Sequence, residues 1–465
     1  MPETLSYGSF QCCSSTTTIA GNRVNTSKQM IAASIGVVSC LIWIGLVVAR
    51  GCFWRVSTPA TGLALRSADS ARVAVIVPAR NEADVVGLAI RSLLKQDYAG
   101  PLKIFVVDDH SSDNTIDVVR QATVGPDEKA TVISSTPLPS GWTGKMWALF
   151  QGVEQATEFA PDYFLFSDAD VVHDVDSISS MMAVAQGRNV DLVSMMVKLH
   201  CSSFAERALI PAFVFFFFML YPPRWINSPK RRTAAAAGGD ILVRVEALAR
   251  IGGIEAIRNE LIDDCALARE IKCAGNIWLG LTQKARSIRK YAGLSEIGRM
   301  ISRNAFFQLR HSILLLIATV LALALTYLAP PCLVFVGGWA AIWGGVGWLL
   351  MSIAFWPMVR FYSLSPLWAA MLPLIALFYT AATLHSAVQY WVGRGGSWKG
   401  RIQDGRGGLR SSYLTKLRRN RTSCAGLCPR PALPFERWER RLARSSWLAS
   451  GCFASGHQSD ALTGQ

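Results

Sequence analysis

Two acidic groups close successive apolar runs of this chain. Residues 102–107 lead into Asp108-Asp109-His110-Ser111-Ser112-Asp113, and residues 163–167 lead into Asp168-Ala169-Asp170. Runs rich in Val, Ile and Phe need burial on both faces, as the central strands of a parallel sheet have. Such sheets carry their ligand sites at the carboxyl ends of the strands. An unpaired buried charge costs several kcal/mol, so these carboxylates must meet solvent, a metal or a cation. The Asp-x-Asp spacing offers hard oxygens to Mg²⁺ or Mn²⁺ while leaving positions open for a diphosphate. A third pair, Asp263-Asp264, precedes Cys265-Ala266-Leu267-Ala268. Adjacent carboxylates repel, which raises one pKa toward the range of a general base; capping of the following helix is the competing reading of the same pair.

Alternating strands and helices would position these groups. Residues 73–77 read as a strand that stops at Pro78, and 84–94 as a helix with Val85, Val86, Ala89, Leu93 and Leu94 on one face. After the strand 102–107 come a helix at 115–122, a short strand at 131–134, a helix at 145–156 and the strand feeding Asp168. The pattern predicts an α/β domain built on a mixed, mostly parallel sheet flanked by helices. Pro78-Ala79-Arg80-Asn81-Glu82 stands where a dinucleotide fingerprint would follow the first strand, and no P-loop occurs. These absences argue against a nicotinamide or flavin enzyme and against a P-loop nucleoside triphosphatase.

Composition adds a membrane. Of 465 residues 51% are hydrophobic, and the formal net charge is +15. Residues 30–49 form an uncharged apolar run, about 30 Å long as a helix, which is enough to span. Arg50 and Arg55 follow it, placing the next domain in the cytoplasm; the membrane expected is the cell inner membrane. A second apolar block, 313–392, divides at Ala329-Pro330-Pro331, at Trp356-Pro357-Met358-Val359-Arg360 and at Ser365-Pro366, giving candidate spans 313–328, 332–355 and 367–391. Three spans would export the Arg-rich tail that begins at Arg394, against the positive-inside tendency, so the block is read as two or three spans. Residues 208–221 are strongly aromatic and short for a span. They read either as an interfacial segment (208–222) that brings the site to the bilayer or as a buried core helix. The organisation expected is a disordered 1–28, a transmembrane helix 29–50, a catalytic domain 56–312, the membrane block 313–392 and a basic, disordered tail 393–465. The 11 cysteines are scattered, and Cys424-x3-Cys428 lacks a second ligand pair, so reduced thiols are expected rather than zinc. No basic stripe interleaved with aromatics suggests nucleic acid.

Val77-Pro78-Ala79-Arg80-Asn81-Glu82, the Asp108–Asp113 cluster, Gly141-Trp142-Thr143-Gly144-Lys145, Asp168-Ala169-Asp170, Gly238-Gly239-Asp240, Ile262-Asp263-Asp264 and Gln308-Leu309-Arg310-His311 occur in the order found in family 2 glycosyltransferases of GT-A fold. Over residues 72–312 the chain resembles that family. Together with Trp398-Lys399-Gly400-Arg401, the pattern is most similar to the hopene-associated bacterial glycosyltransferases and more distantly to ceramide glucosyltransferases. The resemblance implies a UDP-sugar donor, a lipid hydroxyl acceptor in the bilayer (a hopanoid in the nearest subgroup) and a Mg²⁺ or Mn²⁺ ion. A processive polysaccharide synthase and a non-catalytic membrane scaffold are the alternatives.

Residue by residue, the resemblance assigns Pro78, Glu82, Asp109, Lys145 and Asp168 to the donor, Asp168 and Asp170 to the metal, and Gly239 and Asp240 to the acceptor. Asp264 is implied as the base with Asp263 beside it, and Gln308 and Arg310 as companions of the leaving diphosphate. Local chemistry offers each a second reading. Glu82 suits a helix N-terminus, Asp113 an N-cap for the helix from Thr115, and Asp168-Asp170 a solvated turn. Lys145 at a helix start suits a phosphate or plain solvent, and Trp142 a sugar, a base or the cover of a core. Arg310 and Arg303 suit the diphosphate or anchoring at a membrane interface. The family's usual Q-x-x-R-W is altered here, with arginine one place early and no tryptophan, which favours a single transfer over chain growth.

Overall fold

The computed structural model describes residues 15–56, 71–124, 129–260, 262–392, 397–398 and 401–402. In chain order come α1 (Ser15–Ala49), β1 (Val73–Ala79), α2 (Val86–Leu94), β2 (Leu102–Asp108), α3 (Thr115–Thr123), β3 (Ala130–Ser134) and α4 (Gly144–Ala156). β4 (Tyr163–Ser167), β5 (Val171–His173), α5 (Ser177–Gly187), β6 (Leu192–Lys198), α6 (Phe204–Leu220) and α7 (Pro223–Ile226) follow. Then come β7 (Asp240–Arg244), α8 (Val245–Arg250), α9 (Asp263–Lys272), β8 (Ile277–Ser287) and α10 (Leu294–Gln308). The chain continues through α11 (Ile313–Leu323), α12 (Ala329–Val334), α13 (Gly338–Phe361), α14 (Leu367–Ala370) and α15 (Leu372–Trp391).

Eight strands form one mixed sheet in the order β3-β2-β1-β4-β7-β6-β8-β5. β1 pairs parallel with β2 and β4, and β2 with β3, because each connection carries a helix back across the sheet. β7 runs antiparallel to both of its neighbours, and its register sets Asp240 against Ser167, one residue before Asp168. β1 runs through Pro78 to Ala79, two residues past the expected stop. The β4 ladder ends at Ile76, so the proline falls where one neighbour has already left. Val73, Val75 and Val77 face one core layer, Ala74 and Ile76 the other, and all five are fully buried. That two-sided burial is what the continuous apolar runs require.

Among the described residues, five helices are long and apolar enough to cross a membrane: Ser27–Ala49, Phe204–Ile226, Ile313–Val334, Gly338–Phe361 and Leu372–Trp391. The first of these is the later part of α1, which starts at Ser15, inside the segment expected to be disordered. The division at Pro330-Pro331 is corrected: helical backbone runs unbroken from Ile313 to Val334. A π turn over Ala324–Leu328 sends the Ala329 N–H to the Ala324 carbonyl, freeing that of Leu325, and Pro330 has no N–H for that of Thr326. α1 supplies both missing donors, Ser39 Oγ to Leu325 O at 2.9 Å and Trp43 Nε1 to Thr326 O at 2.8 Å. The chain instead turns at Gly337 and Gly338, both at positive φ. The division near Pro357 is likewise corrected, since α13 continues through it to Phe361. α1 lies along α13 closely enough that a Cβ on Gly36 would come within 2.9 Å of Trp343 Cβ.

α6, the aromatic segment, is a full helix wedged between the sheet and the apolar helices. Phe215 packs on Phe53 and Phe355 with ring centroids at 5.2 and 5.0 Å, and the Tyr379 hydroxyl donates to Leu209 O at 2.9 Å. Its N-terminus is closed by a capping box in which the Ser203 hydroxyl accepts from Glu206 N and Glu206 accepts from Ser203 N. Glu206 is 1% exposed and also accepts from Ser202 N and, across the fold, from Tyr291 N, each at 2.9 Å. Glu206→Ala strands those donors, so it is expected to lower stability by about 3 kcal/mol. A thermal melt in detergent checks this, and an unchanged midpoint would refute it. The hairpin Ser397–Trp398 with Arg401–Ile402 is all that is described of the tail; the remainder of 393–465, and residues 1–14, lie outside the described residues.

Candidate active site

The carboxyl ends of β1 and β4 meet the N-termini of α4 and α9 around a small cavity. Pro78, Lys145, Phe166, Ser167, Asp168, Gly238, Asp263 and Asp264 line it, with Ile254, Ile257 and Leu267 closing its apolar side. Lys145 sits in the first turn of α4, which starts at Gly144 because the Thr143 hydroxyl accepts from Met146 N. Its ammonium bridges Asp168 Oδ1 at 2.9 Å and Asp263 Oδ2 at 3.5 Å. Burial would lower the Lys145 pKa, but Asp168 and Asp263 more than offset it, and the net shift is upward. The cation is therefore fixed in charge. Asp168 titrates above the ordinary carboxylate range, chiefly through burial, with Lys145 opposing and Asp170 adding to the rise.

Asp264 begins α9 beside Asp263. Its pKa is pushed up to about 7, first by desolvation in the recess and then by the Asp263 charge, against the Cys265 N–H and Lys145. Repulsion alone, the cause expected from the sequence, is thus the second contribution. Gly238 makes room for it: a Cβ there would lie 3.2 Å from Asp264 Oδ2. Gly238→Val is expected to displace this carboxylate and cut turnover about tenfold to a hundredfold. Steady-state kinetics test this; a rise confined to KM, with kcat unchanged, would count against it.

A second group lies next to the cavity. Asp170, 8% exposed, accepts from Ser287 Oγ at 2.7 Å and from Arg289 Nε at 3.1 Å. The other end of the same guanidinium binds Glu82 Oε1. Arg289, just past β8, was not among the residues singled out from the sequence. Tyr291 follows it, and its hydroxyl is pushed up to about 12 by burial, with Asp170 adding and Arg289 opposing. Asp109 is 1% exposed and ion-paired with Arg80 at 3.4 Å, its backbone N–H donating to Ala79 O at 2.8 Å. Asp113 accepts from Thr115 N at 3.1 Å, a bond across a local turn; the N-cap position of α3 is Asn114, so the capping role expected of Asp113 is corrected.

Other candidates lie elsewhere. Gly239 backs the Asp-x-Asp turn, its carbonyl accepting from Asp168 N at 3.2 Å. Asp240, expected to orient an acceptor, is fully buried and 3.3 Å from His173 Nε2, away from the cavity, because β7 points it into the sheet. Gln308 and Arg310 are exposed at the end of α10, where Arg310 and His311 adopt positive φ and His311 stacks on Tyr390 with centroids 4.0 Å apart. Among the described residues no hydrogen bond or ion pair links either to the carboxylates. Arg303, two turns earlier, has a buried Nε without a hydrogen-bond partner. Trp142 packs on Trp147 and Phe150 with centroids at 5.0 Å, which is the core-covering arrangement.

The donor chemistry suits a hard divalent cation that takes most of its shell from a substrate. Asp168 and Asp170 provide carboxylate oxygens, and no group of three or more His, Cys, Asp or Glu gathers for an ion among the described residues. One or two carboxylates plus phosphates is the usual complement for such an ion.

The sheet order, with its antiparallel β7 after the Asp-x-Asp strand, and the flanking helices define the GT-A glycosyltransferase fold. Residues 71–285 match the family described as "Glycosyltransferase like family 2". The chain is similar in structure to the mannosyltransferase PcManGT from Pyrobaculum calidifontis in complex with GDP-Man and Mn²⁺, with a TM-score of 0.50 and 19% identity over 76% of this chain and 98% of that one. In sequence it is 34% identical over 126 residues to an N-acetylglucosaminyltransferase of Rhizobium leguminosarum bv. viciae, covering 27% of each chain. It is also 35% identical over 98 residues to the 4,4'-diaponeurosporenoate glycosyltransferase of Staphylococcus aureus (strain USA300), 21% of this chain and 23% of that one. The chain thus spans about a quarter of the length of these curated relatives.

Proposed function

We propose that this chain is a membrane-bound, inverting glycosyltransferase that moves a sugar from a UDP-sugar to a hydroxyl of a lipid, with a hopanoid as the leading acceptor class. The observation that carries the reading is Asp264. It is a carboxylate with a pKa of about 7, sharing one cavity with the Asp168–Lys145 pair. A base poised near neutrality takes the acceptor's proton as its oxygen attacks the anomeric carbon. Lys145, fixed in charge, faces the phosphates of the donor from a helix start. Asp168 and Asp170 would hold Mg²⁺ or Mn²⁺, which supplies charge neutralisation for the departing diphosphate. Apolar helices beside the domain support an acceptor drawn from the bilayer, with the catalytic face on the cytoplasmic side of the cell inner membrane and α6 as the interfacial element.

The test is UDP release by the purified chain given a panel of UDP-sugars, Mg²⁺ or Mn²⁺ and bacterial lipid extract. Lipid-dependent release with one sugar per acceptor, by mass spectrometry, is expected. A polymeric product would indicate a processive synthase, and no binding of any sugar nucleotide a non-catalytic scaffold.

A further inference from the structure

Six cations lie on the two segments that follow α1 and α6. Arg50 and Arg55 follow α1, and Arg224, Lys230, Arg231 and Arg232 lie on and after α7, more than 160 residues later. The fold brings the two segments together. Arg50 Nε donates to Met219 O at 3.0 Å and its Nη2 to Leu220 O at 3.3 Å, satisfying the last carbonyls of α6. Trp225 lies between Arg50 and Arg231, whose guanidinium carbons are 4.9 and 5.5 Å from its ring centroid. Arg224 reaches back to Cys52 Sγ at 3.7 Å. Among the described residues, none of the six makes an ion pair with a carboxylate. All but Arg50 are exposed.

We infer that this collar binds the phosphate of an anionic phospholipid in the leaflet where α1 ends. The inference rests on the membrane reading above. Its own support is the placement of the charges: Arg50, Arg224 and Arg231 meet around Trp225 and Cys52 where two apolar helices, Ser27–Ala49 and Phe204–Ile226, end, which in the membrane reading is the headgroup region. Guanidinium forks suit phosphate oxygens, and a tryptophan beside them suits the interface. Lys272 of α9 donates to Ser228 O at 3.0 Å and also to Ile226 O, so the segment carrying the collar is braced from the catalytic domain.

The experiment uses the full chain in neutral detergent, incubated with phosphatidylglycerol, with phosphatidylcholine or with inorganic phosphate. Lipid retained after gel filtration is quantified by mass spectrometry, and the thermal midpoint is recorded. Phosphatidylglycerol is expected to be retained at least about tenfold over phosphatidylcholine and to raise the midpoint, while inorganic phosphate does neither. The triple variant Arg224→Gln, Arg231→Gln, Arg232→Gln should lose that preference while keeping the lipid-free midpoint. If the triple variant does not fold, the single variant Arg231→Gln must lower retention in the same assay. Equal retention of the two phospholipids, or wild-type retention by the variants, overturns the collar. Sedimentation of carbonate-washed membranes reports on the membrane reading separately: chain left in the supernatant refutes that reading, whereas chain in the pellet without lipid preference refutes the collar alone.

Discussion

Asp264→Asn is expected to lower sugar transfer about a thousandfold while leaving UDP affinity within about threefold. The asparagine keeps the shape of the recess but cannot accept a proton. Because burial and Asp263 push the Asp264 pKa up to about 7, the wild-type base is mostly protonated below neutrality. The transfer rate should therefore rise with pH through about 7. Asp263→Asn removes the second cause of that rise and should move the acid limb to lower pH. Stability runs the other way. A carboxyl whose folded pKa lies above its ordinary value of 3.8 stabilises the fold while it keeps its proton. That contribution is lost as pH climbs from about 4 through about 7. The neutral asparagine escapes this loss, so Asp264→Asn should melt above wild type at pH 8 and near it at pH 4. Lost transfer with gained stability at alkaline pH cannot come from a damaged fold. Wild-type transfer rates in the variant would place the base elsewhere.

The carboxylates and Lys145 are legible because each stands at the end of a strand or the start of a helix whose period is strong. Strands buried on both faces leave charged residues only at their ends, and the structure gathers Lys145, Asp168, Asp263 and Asp264 there. Arg289 was not legible. Its sequence surroundings, Ile288-Arg289-Lys290, carry no periodic signal, and only the pairing of β5 with β8 places it across from Asp170. Asp240 misled for a different reason. Its acceptor role rests on the resemblance and not on a periodic signal, and the antiparallel turn into β7 buries it against His173. In the apolar helices proline reads as a boundary. A missing N–H ends a helix only if the stranded carbonyl finds no other donor, and Trp43, 283 residues away in sequence, supplies one.

Asp170→Asn and Arg289→Gln are expected to act in opposite directions on Mn²⁺ binding in the presence of UDP. Asp170 is the more enclosed member of the Asp-x-Asp pair, and its Oδ2 already faces a cation, the Arg289 guanidinium at 3.1 Å. Asparagine there removes the charge while Ser287 keeps a partner, so Mn²⁺ affinity should fall about a hundredfold. Removing Arg289 instead takes away the positive charge that lies against both Asp170 and Glu82. A carboxylate site that loses a nearby cation attracts a divalent ion more strongly. Arg289→Gln should therefore tighten Mn²⁺ binding, about tenfold, and make the thermal midpoint more responsive to added metal than in wild type. Calorimetry and thermal melts read both without turnover. If Arg289→Gln weakens Mn²⁺ as much as Asp170→Asn does, the guanidinium is a structural support of the site. If it tightens Mn²⁺ but slows transfer, the same arginine that guards Asp170 in the free protein must serve the diphosphate once the donor is bound.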